Sequence, residues 1–188
     1  RAMDEAAGNG HLEVVKWLHT NRSEGLPESV VEVAASEGRL DMLQLLLEHD
    51  AGRRWRPTEA MDDAAANGQL EAVKWLHNNR SEGCTSKAMD EAAAYGQLEV
   101  LKWLHANRSE GYTDSAIFYA ARNDRAEVVK WLVTQSPMES ADVAMKHAVA
   151  NGNLNLMQWL HTDANAECTA KVMICAAKHG QLAILKYL

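Results

Sequence analysis

The sequence predicts an all-α solenoid of about seven stacked helix-turn-helix repeats, and three observations carry that prediction. The first is a period: Gly10, Gly38, Gly68, Gly96, Asp124, Gly152 and Gly180 follow one another at spacings of 28, 30, 28, 28, 28 and 28 residues. The second is a pair of small residues four and three places before each of these marks: Ala6-Ala7, Ala34-Ala35, Ala64-Ala65, Ala92-Ala93, Ala120-Ala121, Ala148-Val149 and Ala176-Ala177. The third is an apolar run after each mark. Leu12, Val14, Val15, Trp17 and Leu18 recur as Leu70, Ala72, Val73, Trp75 and Leu76, and again as Leu98, Val100, Leu101, Trp103 and Leu104.

Each repeat opens on a short inner helix. Seven places before the mark stands Met3, Val31, Met61, Met89, Ile117, Met145 or Met173. With the small pair this makes an apolar i, i+3, i+4 face that lets helices approach closely. Thr58, Thr85, Thr113 and Thr169 precede inner helices, where a hydroxyl can accept a bond from an orphan backbone amide. The run after the mark is a longer, more apolar outer helix. Two to three turns are too few for a helix to persist alone in water, so the pairs must stack. Asn-Arg-Ser-Glu-Gly links the pairs at 21–25, 79–83 and 107–111, its Gly suited to a left-handed turn. The repeats divide at 1–26, 27–56, 57–84, 85–112, 113–140, 141–168 and 169–188, with the Met and Trp stripes expected in the core. The chain starts inside one repeat and stops inside another, so a segment of a longer protein is expected.

Composition narrows the function. An apolar content of 47% supports a continuous core and argues against disorder. The net charge of -7 opposes nucleic acid and anionic membranes, and it is uneven: residues 1–94 hold 17 acidic and 10 basic side chains, residues 95–188 hold 9 and 9. Three cysteines without paired spacing suggest free thiols in a reducing compartment. No apolar run is long enough to span a bilayer.

Ala-Ala-x-x-Gly-His-Leu-Glu-Val-Val-Lys-Trp-Leu, read from Ala6 to Leu18, resembles the centre of the ankyrin repeat. The likeness covers essentially the whole chain and departs from the family in two ways. The family opens its inner helix with Thr-Pro-Leu-His, whereas Arg1-Ala2-Met3-Asp4, Glu59-Ala60-Met61-Asp62 and Lys87-Ala88-Met89-Asp90 stand here. Its repeat is also longer, about 33 residues. The missing residues fall in the projecting hairpin, so short loops and almost no strand are expected. The pattern is similar to short variants in large repeat families of unicellular eukaryotes and fungus-like pathogens. That resemblance implies an interaction or effector role in the cytoplasm, the nucleus or a host cytosol.

The resemblance further implies a concave groove lined by inner helices, with the residues five and six places before each mark facing a partner. These are Asp4-Glu5, Glu32-Val33, Asp62-Asp63 and Asp90-Glu91, then Phe118-Tyr119, Lys146-His147 and Ile174-Cys175. The acids read as attraction for a basic segment, or else as solvated helix starts favoured by the macrodipole. Phe118 and Tyr119 read as an aromatic anchor. A second candidate contact is the loop that breaks the period, Arg53-Arg54-Trp55-Arg56-Pro57, which joins the tightest basic cluster to a Trp off the helical register. The competing reading folds Trp55 back on a neighbouring helix.

No catalytic constellation stands out. His19, His77, His105 and His161 recur one per repeat, too far apart to ligate one ion, and read as partly buried, hydrogen-bonded residues. Asp62 and Asp63 are sequence neighbours that diverge on a helix and do not make an acid/base pair. A non-catalytic, monomeric scaffold is expected, binding another protein and needing no cofactor or metal. The alternatives are a recruiting segment of a larger enzyme, such as a ubiquitin ligase or a kinase, and a spacer between flanking domains.

Overall fold

A computed structural model of the chain describes residues 2–21, 28–49, 57–81 and 83–188. They form fourteen helices and, among the described residues, no strand. The inner helices are α1 (Ala2–Gly8), α3 (Glu28–Ser36), α5 (Pro57–Ala66), α7 (Ser86–Tyr95), α9 (Asp114–Arg122), α11 (Pro137–Asn151) and α13 (Ala170–Lys178). Each is followed by its outer helix: α2 (Leu12–Asn21), α4 (Leu40–His49), α6 (Leu70–Asn79), α8 (Leu98–Asn107), α10 (Ala126–Gln135), α12 (Leu154–Thr162) and α14 (Leu182–Tyr187). The expected seven helix pairs are all present.

Two compact units divide the chain, Arg1–Ala92 with Glu99–Gly111, and Ala93–Leu98 with Tyr112–Leu188. In the first, α1 packs on α3 and α3 on α5, each inner helix also lying against its outer partner. In the second, α9 packs on α11 and α11 on α13 in the same manner. The close approach follows from the small pairs: Ala34, Ala35, Ala64, Ala65, Ala120, Ala121 and Ala148 are fully buried. Met61, Met89 and Met145 fill the space beside them.

The marks turn the chain from inner to outer helix by a hydrogen-bonded reversal. Gly38 donates to the Ala35 carbonyl at 3.0 Å and Arg39 to that of Ala34 at 2.8 Å, a Schellman closure that needs a left-handed residue. Gly38 has φ +67°. A second constraint comes from the next repeat, because the side chain just after each following mark lies over the preceding Gly. A Cβ on Gly38 would meet Gln69, one on Gly96 would meet Arg125 Cδ at 2.9 Å, and one on Gly152 would meet Gln181. Those side chains tie the repeats together: Arg125 Nε donates to the Ala94 carbonyl at 3.4 Å and Gln181 Nε2 to that of Ala150 at 3.1 Å. Where Asp124 replaces the Gly at φ +58°, the following residue is the shorter Asn153, whose Nδ2 donates to Asp124 Oδ1 at 2.7 Å. Asp tolerates the left-handed region better than most residues, and its partner is cut to fit.

One expectation is corrected. Trp is not a core residue: Trp75, Trp103, Trp131 and Trp159 are half-buried, and Trp17 is 62% exposed. The indole lies at the rim of the stack, where His77 meets the ring of Trp103 edge-on at 5.2 Å. His161 meets Tyr187 in the same way at 6.4 Å, so the recurrent His is a stacking element between repeats as well as a polar one. The inner helix α11 begins at Pro137 with Ser136 as its N-cap. Proline presets the helical φ and has no N–H to lose in the first turn. Of the candidate capping threonines, Thr113 accepts from Ser115 N–H at 3.2 Å and Thr85 from Lys87 N–H at 3.1 Å. Thr169 makes no such bond, and Thr58 lies inside α5.

Candidate functional site

The acidic positions of the inner helices split into two chemical roles. Asp62 is 2% exposed and accepts two bonds from the next repeat, from Thr85 N–H at 2.9 Å and Thr85 Oγ1–H at 2.7 Å. Burial is the largest influence on its carboxyl and raises its pKa, while the two Thr85 bonds oppose that rise. Asp62 therefore fixes the start of α7 and is not on an accessible face, contrary to its sequence-based assignment. Asp4 plays a related part, accepting from Ser29 Oγ–H at 2.7 Å across 25 residues, although it also lines a shallow hollow with Glu5. Glu91 is bound by Lys87 at 3.5 Å, and that attraction is the main cause of the raised Lys87 pKa. Glu5 is exposed, and Glu32, Asp63 and Asp90 are half-buried.

The second unit carries the aromatic position. Phe118 and Tyr119 are 39% and 44% exposed, with their rings edge-to-face at 5.2 Å. The half-buried His147 ring of the next inner helix meets Phe118 edge-on at 5.0 Å, so three rings from two repeats form one cluster. Burial, then the charges of Lys146 and Arg122, lower the His147 pKa and favour the neutral ring. Beside the cluster is a hollow of about 640 Å³ lined by Tyr112, Ile117, Phe118, Tyr119 and Val143, with the hydroxyls of Thr113, Ser115, Ser136 and Ser140 and the carboxylate of Asp114. Aromatic walls with hydroxyl donors and acceptors suit a side chain and the peptide that carries it.

The sequence thus places Phe118, Tyr119, Lys146 and His147 in a region the structure brings together, and it does not anticipate the Ser and Thr hydroxyls or Arg122. Their signal is spacing from the mark, legible once the inner-helix face is defined. Arg53, Arg54, Trp55 and Arg56 lie outside the described residues. Among the described residues no three His, Cys, Asp or Glu side chains converge as metal ligands, and no helix is long and apolar enough to cross a membrane.

The linker at 107–111 forms a polar clasp in the first unit. Arg108 pairs with Glu110 and contacts His77 Nδ1 at 3.3 Å. The Arg108 hydrogen bond is the largest influence on Glu110 and brings its pKa down to about 2. Cys84 beneath it is buried, and burial foremost pushes its thiol up to about 11. A thiol so poised is neutral at pH 7 and a poor nucleophile.

A family model described as three copies of the ankyrin repeat matches residues 3–90, 61–147 and 89–188. The chain belongs to the ankyrin-repeat family. Among solved structures, the crystal structure of the human ASB11 ankyrin repeat domain superposes with a TM-score of 0.72 at 19% identity. The match covers 100% of this chain and 98% of that one. At that identity the likeness speaks for the ankyrin fold alone. No curated protein sequence matches the chain. Ankyrin repeats are generally protein–protein interaction modules, and their fold is typically non-catalytic.

Proposed function

We propose that this ankyrin array binds a partner protein through the exposed faces of its inner helices, with Phe118 and Tyr119 as the principal anchor. The observation that carries this reading is the exposure of two large rings, held edge-to-face beside a hollow of about 640 Å³. Exposed aromatics on rigid helices supply large contact area at small entropic cost, the profile of an interface hot spot. Lys146 and His147 border the anchor. Glu5, Asp63 and Asp90 are the acids of the first unit that would face a basic segment of the partner, while Asp62 is withdrawn from that role by its burial.

The test is capture of partners from cell extract by the intact chain and by an F118A/Y119A variant, with identification by mass spectrometry. The outer-helix variant E99Q, which loosens a surface ion pair to Lys102, is the control. A specific set of proteins lost in the aromatic variant and retained in the control supports the reading. An unchanged set rejects it.

A further inference from the structure

In α9 and α11 the residues nine, six, five and two places before the mark are at least partly exposed, because the places eight, seven, four and three before it are buried. In α9 the buried set is Ala116, Ile117, Ala120 and Ala121. The exposed face of α9 is then Ser115, Phe118, Tyr119 and Arg122, and that of α11 is Val143, Lys146, His147 and Ala150. In α13 the same four places hold Lys171, Ile174, Cys175 and Lys178, all at least partly exposed. These helices lie side by side in one unit, so their faces adjoin. At these positions stand four cations and no carboxylate. The same four places in α5 read Glu59, Asp62, Asp63 and Ala66, of which Asp62 and Ala66 are buried.

The cations of this face lack the intrahelical ion pairs seen on the outer helices. Lys16, Lys74, Lys102 and Lys130 on the outer helices each pair with a Glu three residues earlier, at 2.7–3.1 Å. Lys87 pairs with Glu91 and Arg108 with Glu110. Arg122, Lys146, Lys171 and Lys178 have no carboxylate within ion-pairing distance among the described residues. Interleaved with them are exposed apolar groups: Ile174 on α13 is 67% exposed, and on α9 Phe118 is 39% and Tyr119 44% exposed. Asp114, Asp142 and Glu167 stand at the rim of the hollows near the helix starts, which leaves Arg122, Lys146 and Lys178 as the strip where an anion is favoured.

Resting on the interaction reading above, we infer that the inner-helix face of α9, α11 and α13 is a docking site for an acidic protein segment, one in which Asp or Glu residues flank an aromatic or branched apolar anchor. The anchor seats against Phe118 and Tyr119, and the flanking carboxylates pair with Arg122, Lys146 and Lys178. Charge complementarity selects the partner and speeds its encounter, while the apolar contact supplies the hold. A protein segment fits better than a nucleic acid, since the whole chain carries a net charge of -7 that repels a polyphosphate at long range.

The test pans a display library of random peptides about 12 residues long, up to about 40 Å when extended, against the intact chain. The enriched pool is expected to be acidic and to carry a central aromatic or branched residue. Affinity of the enriched peptides should fall by at least about tenfold in R122E/K146E/K178E, less in R122Q/K146Q/K178Q, and with rising salt. Circular dichroism checks that each variant keeps its helices. A neutral or basic pool that is lost in F118A/Y119A overturns the charge assignment and leaves the inner-face reading standing. A pool indifferent to both sets of variants, or no enrichment at all, overturns the acidic-segment inference and leaves the extract capture to judge the broader reading. A labelled single-stranded oligonucleotide that binds and is released by the same charge reversals overturns it in favour of nucleic acid.

Discussion

Replacing Asp62 separates a residue that holds the stack together from one that meets a partner. Its carboxylate accepts the Thr85 backbone N–H at 2.9 Å and the Thr85 hydroxyl at 2.7 Å, and Thr85 in turn accepts from Lys87 N–H at the start of α7. Hydrogen bonds to a charged group contribute about 1.5–3 kcal/mol each. Thr85 is itself exposed, so water can satisfy its groups when the carboxylate is gone, and removal of the buried charge offsets part of the loss. D62A is therefore expected to cost about 2 kcal/mol, below the sum of about 3–6 kcal/mol for the two bonds. For a chain of this size that lowers the midpoint of thermal unfolding by about 4–8 °C. D62K forces an ammonium against the Thr85 donors at a site 2% exposed and should cost about 3–5 kcal/mol. D62N keeps the acceptor for Thr85 N–H and removes the charge. Because burial raises the Asp62 pKa above its ordinary 3.8, the folded chain holds this proton more tightly than the unfolded chain. The contribution of Asp62 is thus complete below pH 3.8 and declines as pH rises through the folded value. The stability of D62N relative to the parent should accordingly be greatest at pH 7 and shrink as the pH approaches 3.8. Urea and thermal unfolding followed at 222 nm measure all three variants. A D62K chain that melts with the parent would place Asp62 on the surface and refute this assignment.

Other perturbations test the repeat contacts. G96D should be destabilised by about 1–2 kcal/mol from its left-handed backbone, and further by collision with Arg125. Adding R125N recreates the arrangement of Asp124 and Asn153, so a double-mutant cycle by urea unfolding should show favourable coupling of about 0.5–3 kcal/mol. E110Q removes the partner of Arg108; because the Glu110 pKa is depressed to about 2, its contribution is present above pH 4.5 and lost as pH falls through about 2. The parent's advantage over E110Q, at most about 1 kcal/mol after solvent screening, should vanish over that window in pH-dependent melts. M89A, at a side chain 1% exposed, should cost about 2–5 kcal/mol, whereas M173A at the equivalent place, 49% exposed, should cost much less by the same melts.

The fold was legible because each repeat restates the same constraints. The Met and the small pair lie three and four residues apart on one helical face, and every repeat must satisfy that spacing or leave a gap in the seam. The rim was less legible. Trp17, Trp75 and Trp103 occupy an apolar register and read as core, yet the indoles lie at the rim, where Trp103 meets His77 of the preceding repeat. Asp62 misled for a related reason. Its place relative to Gly68 matches that of Phe118 relative to Asp124, but a short carboxylate reaches the Thr that starts the following helix, while an aromatic ring there turns outward. Period alone cannot reveal that difference, since it depends on which residue begins the next repeat.

The same reasoning sharpens where recognition is to be sought in an array of this kind. A polar residue on an inner helix has two possible claimants, the adjoining repeat and a partner, and the adjoining repeat is always present at high effective concentration. Side chains that the neighbour can satisfy are committed to it, as Asp4 is by Ser29, Asp62 by Thr85 and Asn123 by the Ala94 carbonyl. What is left for a partner is the set the stack cannot satisfy. In the second unit those are the long cations without a carboxylate and the rings wider than the space between helices. Arg122, Lys146 and Lys178 belong to the first group and Phe118 and Tyr119 to the second, and both groups fall on one face. Their coincidence follows from neither the period nor the packing, which makes that face the place where this chain's individuality is concentrated.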